Sequence, residues 1–252
     1  TTSQLRALDG AQVAALDTGS IARLTPVQVK ALTTTQVQAF GTDEVQALRA
    51  SQLRALTTGQ VAALSTGQLQ ALTTDQLDSF GTAQIAALTT EQAEALTTEQ
   101  LQSLSNKQIA AFESTDLNAF STEQVEALTS SQVSGLSAFQ IGHLATAQLA
   151  AIETEDFAAL KTSQLRALTT DQIPAITTDQ VRALRARSLS AFSSAQIQAF
   201  TSEQIAALST EQIAALKLSV QSALTSDQIN ALTTDQIVAM SSAAIRALTT
   251  SQ

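Results

Sequence analysis

From Thr201 to Leu216 the chain reads TSEQIAAL STEQIAAL, two octapeptides that differ only in the order of Thr and Ser, and the same eight-residue pattern recurs without a slip from Thr1 onward. Thirty-one blocks fit this register, and TTSQ at 249–252 opens a thirty-second. Position 8 is Leu, Phe, Ile or Met in all 31 blocks, and position 5 is large and apolar in 29, with Ala93 and Gln221 the exceptions. Position 7 is Ala in 26 blocks and position 4 is Gln in 24, while positions 1 and 2 are mostly Thr or Ser and positions 3 and 6 vary. A fixed period of this kind is the signature of a repeat architecture.

A continuous α-helix turns about 100° per residue, so eight residues overshoot two turns by roughly 80°. The stripe of positions 5 and 8 would wind around such a helix and leave no lasting buried face. A coiled coil is excluded as well, since the period is neither 7 nor 11. The chain must therefore change direction once per block, or be β. The block boundaries read as helix starts. Thr at position 1 with Gln at position 4 is a capping box, and the apolar residues at position 8 of one block and position 5 of the next form a hydrophobic staple. Twelve of the 22 acidic residues occupy position 3, in the first turn, where the helix dipole favours them. Pro26 sits where a first helical residue would stand, a site that accepts proline. The expected fold is all-α: a single-chain solenoid of about 31 two-turn helices, one per octad, each held by its neighbours because isolated helices this short are unstable.

Two features resist this reading. Position 2 is Thr or Ser even more often than position 1, so either could be the N-cap. Pro174 falls at position 6, where it removes a helical hydrogen bond. A β-solenoid with β-branched residues at positions 1, 2 and 5 is the alternative, although Ala at 7 and Gln at 4 suit strands poorly.

The exceptions carry a longer spacing. Phe40, Phe80, Phe120, Phe200 and Met240 end blocks separated by multiples of forty residues; the block ending at Leu160 holds Phe157 instead. Arg23, Ser103 and His143, rare replacements of Ala at position 7, share one phase of forty, whereas Phe112 and Phe192 fall a block early. Forty residues are five octads, so five octads per superhelical turn are expected. The whole of 1–252 reads as one continuous repeat domain. Its first and last octads are ordinary rather than polar caps, so the array is expected to continue beyond this segment, and end-to-end association is expected of its exposed ends.

Composition narrows the functional classes. The net charge of −9 argues against nucleic acid and anionic membrane surfaces. No apolar run is long enough to insert in a membrane. Cys is absent and His143 is the one imidazole, which leaves no ordinary zinc or catalytic-triad set. Glu113 with Asp116, and Glu153, Glu155 and Asp156, are the densest acidic groups; they lack a calcium-loop pattern and read as capping and solvation. Arg182, Arg185 and Arg187 read as a solvated basic patch, and the position 8 Phe residues as core. Phosphate loops and nucleophile elbows are absent. No catalytic, cofactor-binding or metal residue is assigned, no cofactor is expected, and the chain does not read as an enzyme. Ice binding by Thr is disfavoured because the hydroxyls are engaged in capping.

Runs such as ALTSDQINALTTDQIVAM at Ala223–Met240 resemble repetitive ALTTxQ(I/V)AAL-type tracts of large bacterial surface or secreted, adhesin-like proteins. The resemblance covers the whole chain, implies an extracytoplasmic stalk or spacer, and brings no functional residues with it. The expected function is a rigid structural spacer. The alternative is a scaffold that binds a protein or glycan through the variable positions 3 and 6.

Overall fold

The computed structural model describes residues 1–250 and 252. Among them the chain forms thirty α-helices of four to six residues and one 3-10 helix, with no strand. The β-solenoid alternative is overturned, for the reason visible in each octad. In 33–40, the Gln36 amide donates to Thr33 Oγ1 at 3.2 Å and the Thr33 amide donates to Gln36 Oε1 at 2.9 Å. Both hydrogen bonds stabilise a helix start and have no place in a strand. Position 1 is the N-cap of each of the thirty α-helices; Thr33 has φ −77° and ψ 161°, and the helix runs Thr34–Gln38. Position 2 is the first helical residue. Pro26 occupies that place in the helix Pro26–Ala31. Around Pro174 the octad tightens into the 3-10 turn Ile173–Ala175, which accommodates the missing amide.

The chain resolves into two compact units, Thr1–Leu128 and Thr129–Gln252. Each is a helical solenoid with the same internal wiring. Helices three octads apart lie side by side, as Thr90–Ala95 does with Ser114–Ala119, and Ala138–His143 with Thr162–Ala167. Octads four apart are joined by the position 4 glutamine. Its Oε1 serves the cap of its own helix, and its Nε2 donates to the position 5 and position 8 carbonyls of the fourth octad before it. Gln36 reaches Leu5 and Leu8 at 2.8 and 2.7 Å, and Gln52 reaches Ile21 and Leu24 at 2.9 and 2.8 Å. In the second unit Gln164 reaches Val133 and Leu136, and Gln212 reaches Val181 and Leu184. The amide thus pairs the position 8 carbonyl, which its own helix leaves without a partner, and gives a second donor to the position 5 carbonyl, which already accepts from the position 8 amide. Long polar residues at position 6 add a lighter link in the other direction. Gln46, Gln70 and Gln198 donate to the position 7 carbonyls of Ala71, Ala95 and Ala223, each 25 residues on.

This wiring corrects the expected five octads per turn. Neighbours lie three and four octads away, so one turn takes between three and four. The reason is the size of the core. Position 5 side chains are fully buried in most octads of both units, Ile229, Ile237 and Ile245 excepted, and most position 8 residues are nearly so. Leu, Ile, Val and single Phe rings fill the axis of a narrow coil, whereas a ring of five helices would leave an unfilled centre, which is costly. Phe residues are accepted at position 8 wherever they occur. Phe112 and Phe120, in consecutive octads, meet edge to face at 5.3 Å, and Phe192 and Phe200 do the same at 5.4 Å.

Asp9 and Asp17 cap as Thr and Ser do, but where position 1 is none of these three residue types the side-chain half of the cap is lost. Ala145 has no side chain to accept from its helix, although its own amide still donates to Gln148 Oε1 at 3.1 Å. Its backbone, at φ −62° and ψ 151°, already has the N-cap conformation. Ala145→Ser is therefore expected to stabilise the chain by about 1 kcal/mol. A shift of the urea midpoint to higher concentration at unchanged slope would show it, and a destabilised variant would contradict the cap assignment.

Candidate functional site

The octad sorts its positions by exposure. In most octads positions 4, 5 and 8 are buried and position 7 is half-buried, while positions 2, 3 and 6 face solvent, and position 1 is exposed at most corners. Sequence variety is thereby confined to the surface, where the stacking of successive turns leaves grooves of one repeating register. One groove, of about 580 Å³, runs past Pro26, Val27, Lys30, Arg54, Leu56 and Gly81. A second, of about 340 Å³, is displaced by forty residues and is lined by Gln70, Glu94, Thr97, Ser121 and Glu123. A third, again of about 580 Å³, lies in the second unit and is lined by Lys161, Thr162, Ser163, Arg185, Arg187 and Ser188. In all three, positions 6 to 8 of one octad and position 1 of the next face positions 1, 3 and 4 of an octad further along. The scaffold is constant, and the chemistry of each groove is set by the residues at positions 1, 3 and 6. The first is apolar with two cations, the second acidic, the third basic.

The structure separates the members of the arginine patch. Arg182 pairs with Asp179 at 3.0 Å, the one ion pair among the described residues. Arg185 and Arg187 turn instead into the third groove, where they are joined by Lys161. Adjacency along the chain hid this grouping. The signal for it is the 24-residue separation of Lys161 and Arg185, the same position in octads three apart. Both stand at N-cap positions without a side-chain cap.

His143 ends the helix Ala138–His143 on the surface. Its ring stacks on Phe139 at 3.9 Å, and its Nδ1 lies 2.7 Å from the Phe139 carbonyl oxygen. Phe139 is itself 64% exposed, an apolar residue at a position normally polar. Asp116 and Asp156, which replace the position 4 glutamine, are buried and accept hydrogen bonds from Thr90 (2.8 Å) and Ser130. The carboxylates thus take a hydroxyl three octads back. Glu113 and Glu153 stand at N-caps without a side-chain cap bond, and Glu155 lies in a first turn. Among the described residues no group of three His, Cys, Asp or Glu side chains is arranged to hold a metal ion. None of the described helices is long and apolar enough to cross a membrane.

Two carboxylates titrate below their ordinary range. Asp17 is held down first by the Ser20 backbone amide, which donates to Oδ1 at 2.6 Å, and then by the Ser20 hydroxyl. Glu203 is held down by its own backbone amide and by the Thr201 hydroxyl. Both lie in first turns of helices or at their caps, where donors converge on a negative charge.

A helix per octad, a glutamine wiring each octad to the fourth before it, and grooves of constant register define a helical repeat solenoid. The ALTTAQ repeat family matches the chain at residues 13–50, 37–74, 50–82, 73–106, 109–146, 149–186 and 188–218, which together take in most of it. The chain belongs to that family. No curated protein matches it.

Proposed function

We propose that the chain is a non-catalytic structural module, a rigid spacer within a large bacterial surface or secreted protein. The observation that carries this reading is the closure of each octad by its repeated positions: the cap of positions 1 and 4, the core of positions 5 and 8 and the glutamine ladder do not depend on the variable residues at positions 3 and 6. Octads can therefore be added in any number without redesign, as a spacer requires. The resemblance of the ALTTxQ runs to tracts of surface and secreted proteins supports an extracellular setting. Chains lengthened by four, eight and twelve internal octads test the proposal by small-angle scattering. The longest dimension is expected to rise linearly with octads added; a dimension that grows only as the cube root of length would overturn it. The grooves of alternating chemistry favour a second reading, a scaffold that binds through its outer face.

A further inference from the structure

Five of the thirteen basic residues fall between Lys161 and Arg187, in a chain of net charge −9. Three of them, Lys161, Arg185 and Arg187, line one groove together with the hydroxyl residues Thr162, Ser163 and Ser188. None of the three cations enters an ion pair among the described residues, although Arg182 close by does. Glu211, one 24-residue step beyond Arg187, does not reach it either. Like charges gathered this way repel one another, and Lys161 and Arg185 have moreover replaced the cap residue that stabilises most octads. Ser188 stands where a bulky glutamine fills the corresponding corner of the other two grooves. Nothing in the core requires any of these replacements.

We propose that this groove binds a compact polyanion, a chain of two or three phosphate groups. Arg185 and Arg187 offer planar guanidinium forks that match phosphate oxygens in pairs. Lys161 supplies a third charge from the facing octad, and Thr162, Ser163 and Ser188 add hydroxyl donors along the same groove. A groove of about 580 Å³ holds a triphosphate with room for solvent. The groove of the same register at Glu94 and Glu123 carries the opposite charge and would repel the same ligand. The inference stands independently of the spacer reading, which concerns length and not ligands.

Tripolyphosphate titrated into the full chain in a calorimeter at low salt tests it. Saturable binding of one equivalent is expected, weakened at least about tenfold in the variant Lys161→Gln, Arg185→Gln, Arg187→Gln. A second variant, Arg6→Gln, Lys30→Gln, Arg54→Gln, removes the same charge elsewhere and is expected to bind within about twofold of the parent. All substituted residues are exposed, and circular dichroism of both variants is expected to match the parent. No binding at millimolar ligand, binding of several equivalents, or equal loss in both variants would overturn the proposal, the last by showing general attraction to positive charge.

Discussion

Gln68→Glu is expected to destabilise the chain by about 3–5 kcal/mol at pH 7, although it changes a single atom group. Gln68 is buried, and its Nε2 donates to the Val37 and Phe40 carbonyls at 3.0 and 2.6 Å, while its Oε1 accepts from the Ser65 amide at 2.8 Å. A carboxylate keeps the last of these and turns the other two into contacts between oxygens. The new carboxyl would be buried against two acceptors, so its folded pKa lies above the ordinary value of about 4.3. A raised pKa means that the neutral form is favoured by folding. The penalty is therefore small below about pH 4.3 and grows as pH rises through the folded value. Urea unfolding at pH 7 and pH 4 would show a deficit that shrinks on acidification. Gln12→Glu is the control: Gln12 is exposed and keeps only its cap bond to Asp9, at 3.0 Å. Its substitution is expected to cost under about 0.5 kcal/mol. Equal costs at 12 and 68 would remove the ladder from the explanation of the fold. The natural carboxylates agree with this logic: Glu44 is half-exposed, and Asp116 bonds a hydroxyl.

The second large effect is expected at position 5. Leu69 has no exposed surface, and Leu69→Ala is expected to cost roughly 3–5 kcal/mol through lost burial and a cavity on the solenoid axis. Ile237 holds the same position in its octad but is 42% exposed, and Ile237→Ala is expected to cost about 1 kcal/mol or less. The ratio of the two, read from urea midpoints at constant slope, tests whether burial by following turns makes position 5 critical. Similar costs at both sites would assign the stability to each octad alone.

The local half of this fold was legible in eight residues. Thr33 and Gln36 announce a capping box, Val37 and Phe40 announce the buried face, and the period forces a break after each helix. The superhelix was not legible, because the informative atom is the far nitrogen of Gln36. A capping box accounts for that side chain by its oxygen, and a pattern within one octad says nothing of carbonyls 28 and 31 residues back. Phe40, Phe80 and Phe120 point to a turn of five octads only if bulky residues mark equivalent places. Every position 8 faces the core, so a ring fits at each of them and its spacing carries no geometric meaning. The basic groove was hidden for the same reason as the turn. Arg182, Arg185 and Arg187 are neighbours along the chain, but the fold trades Arg182 to Asp179 and brings in Lys161.

The glutamine ladder also has a direction. Each Nε2 reaches back to an earlier octad, so a helix has its position 8 carbonyl paired, and its position 5 carbonyl given a second donor, only after the fourth octad beyond it exists. At a synthesis rate of roughly 5–20 residues per second, that partner arrives about one to six seconds after the helix it completes. The solenoid is thus suited to being assembled in the order in which it is translated, with each new octad fastening one already outside the ribosome. Growth from the other end would place every glutamine amide before its acceptors exist.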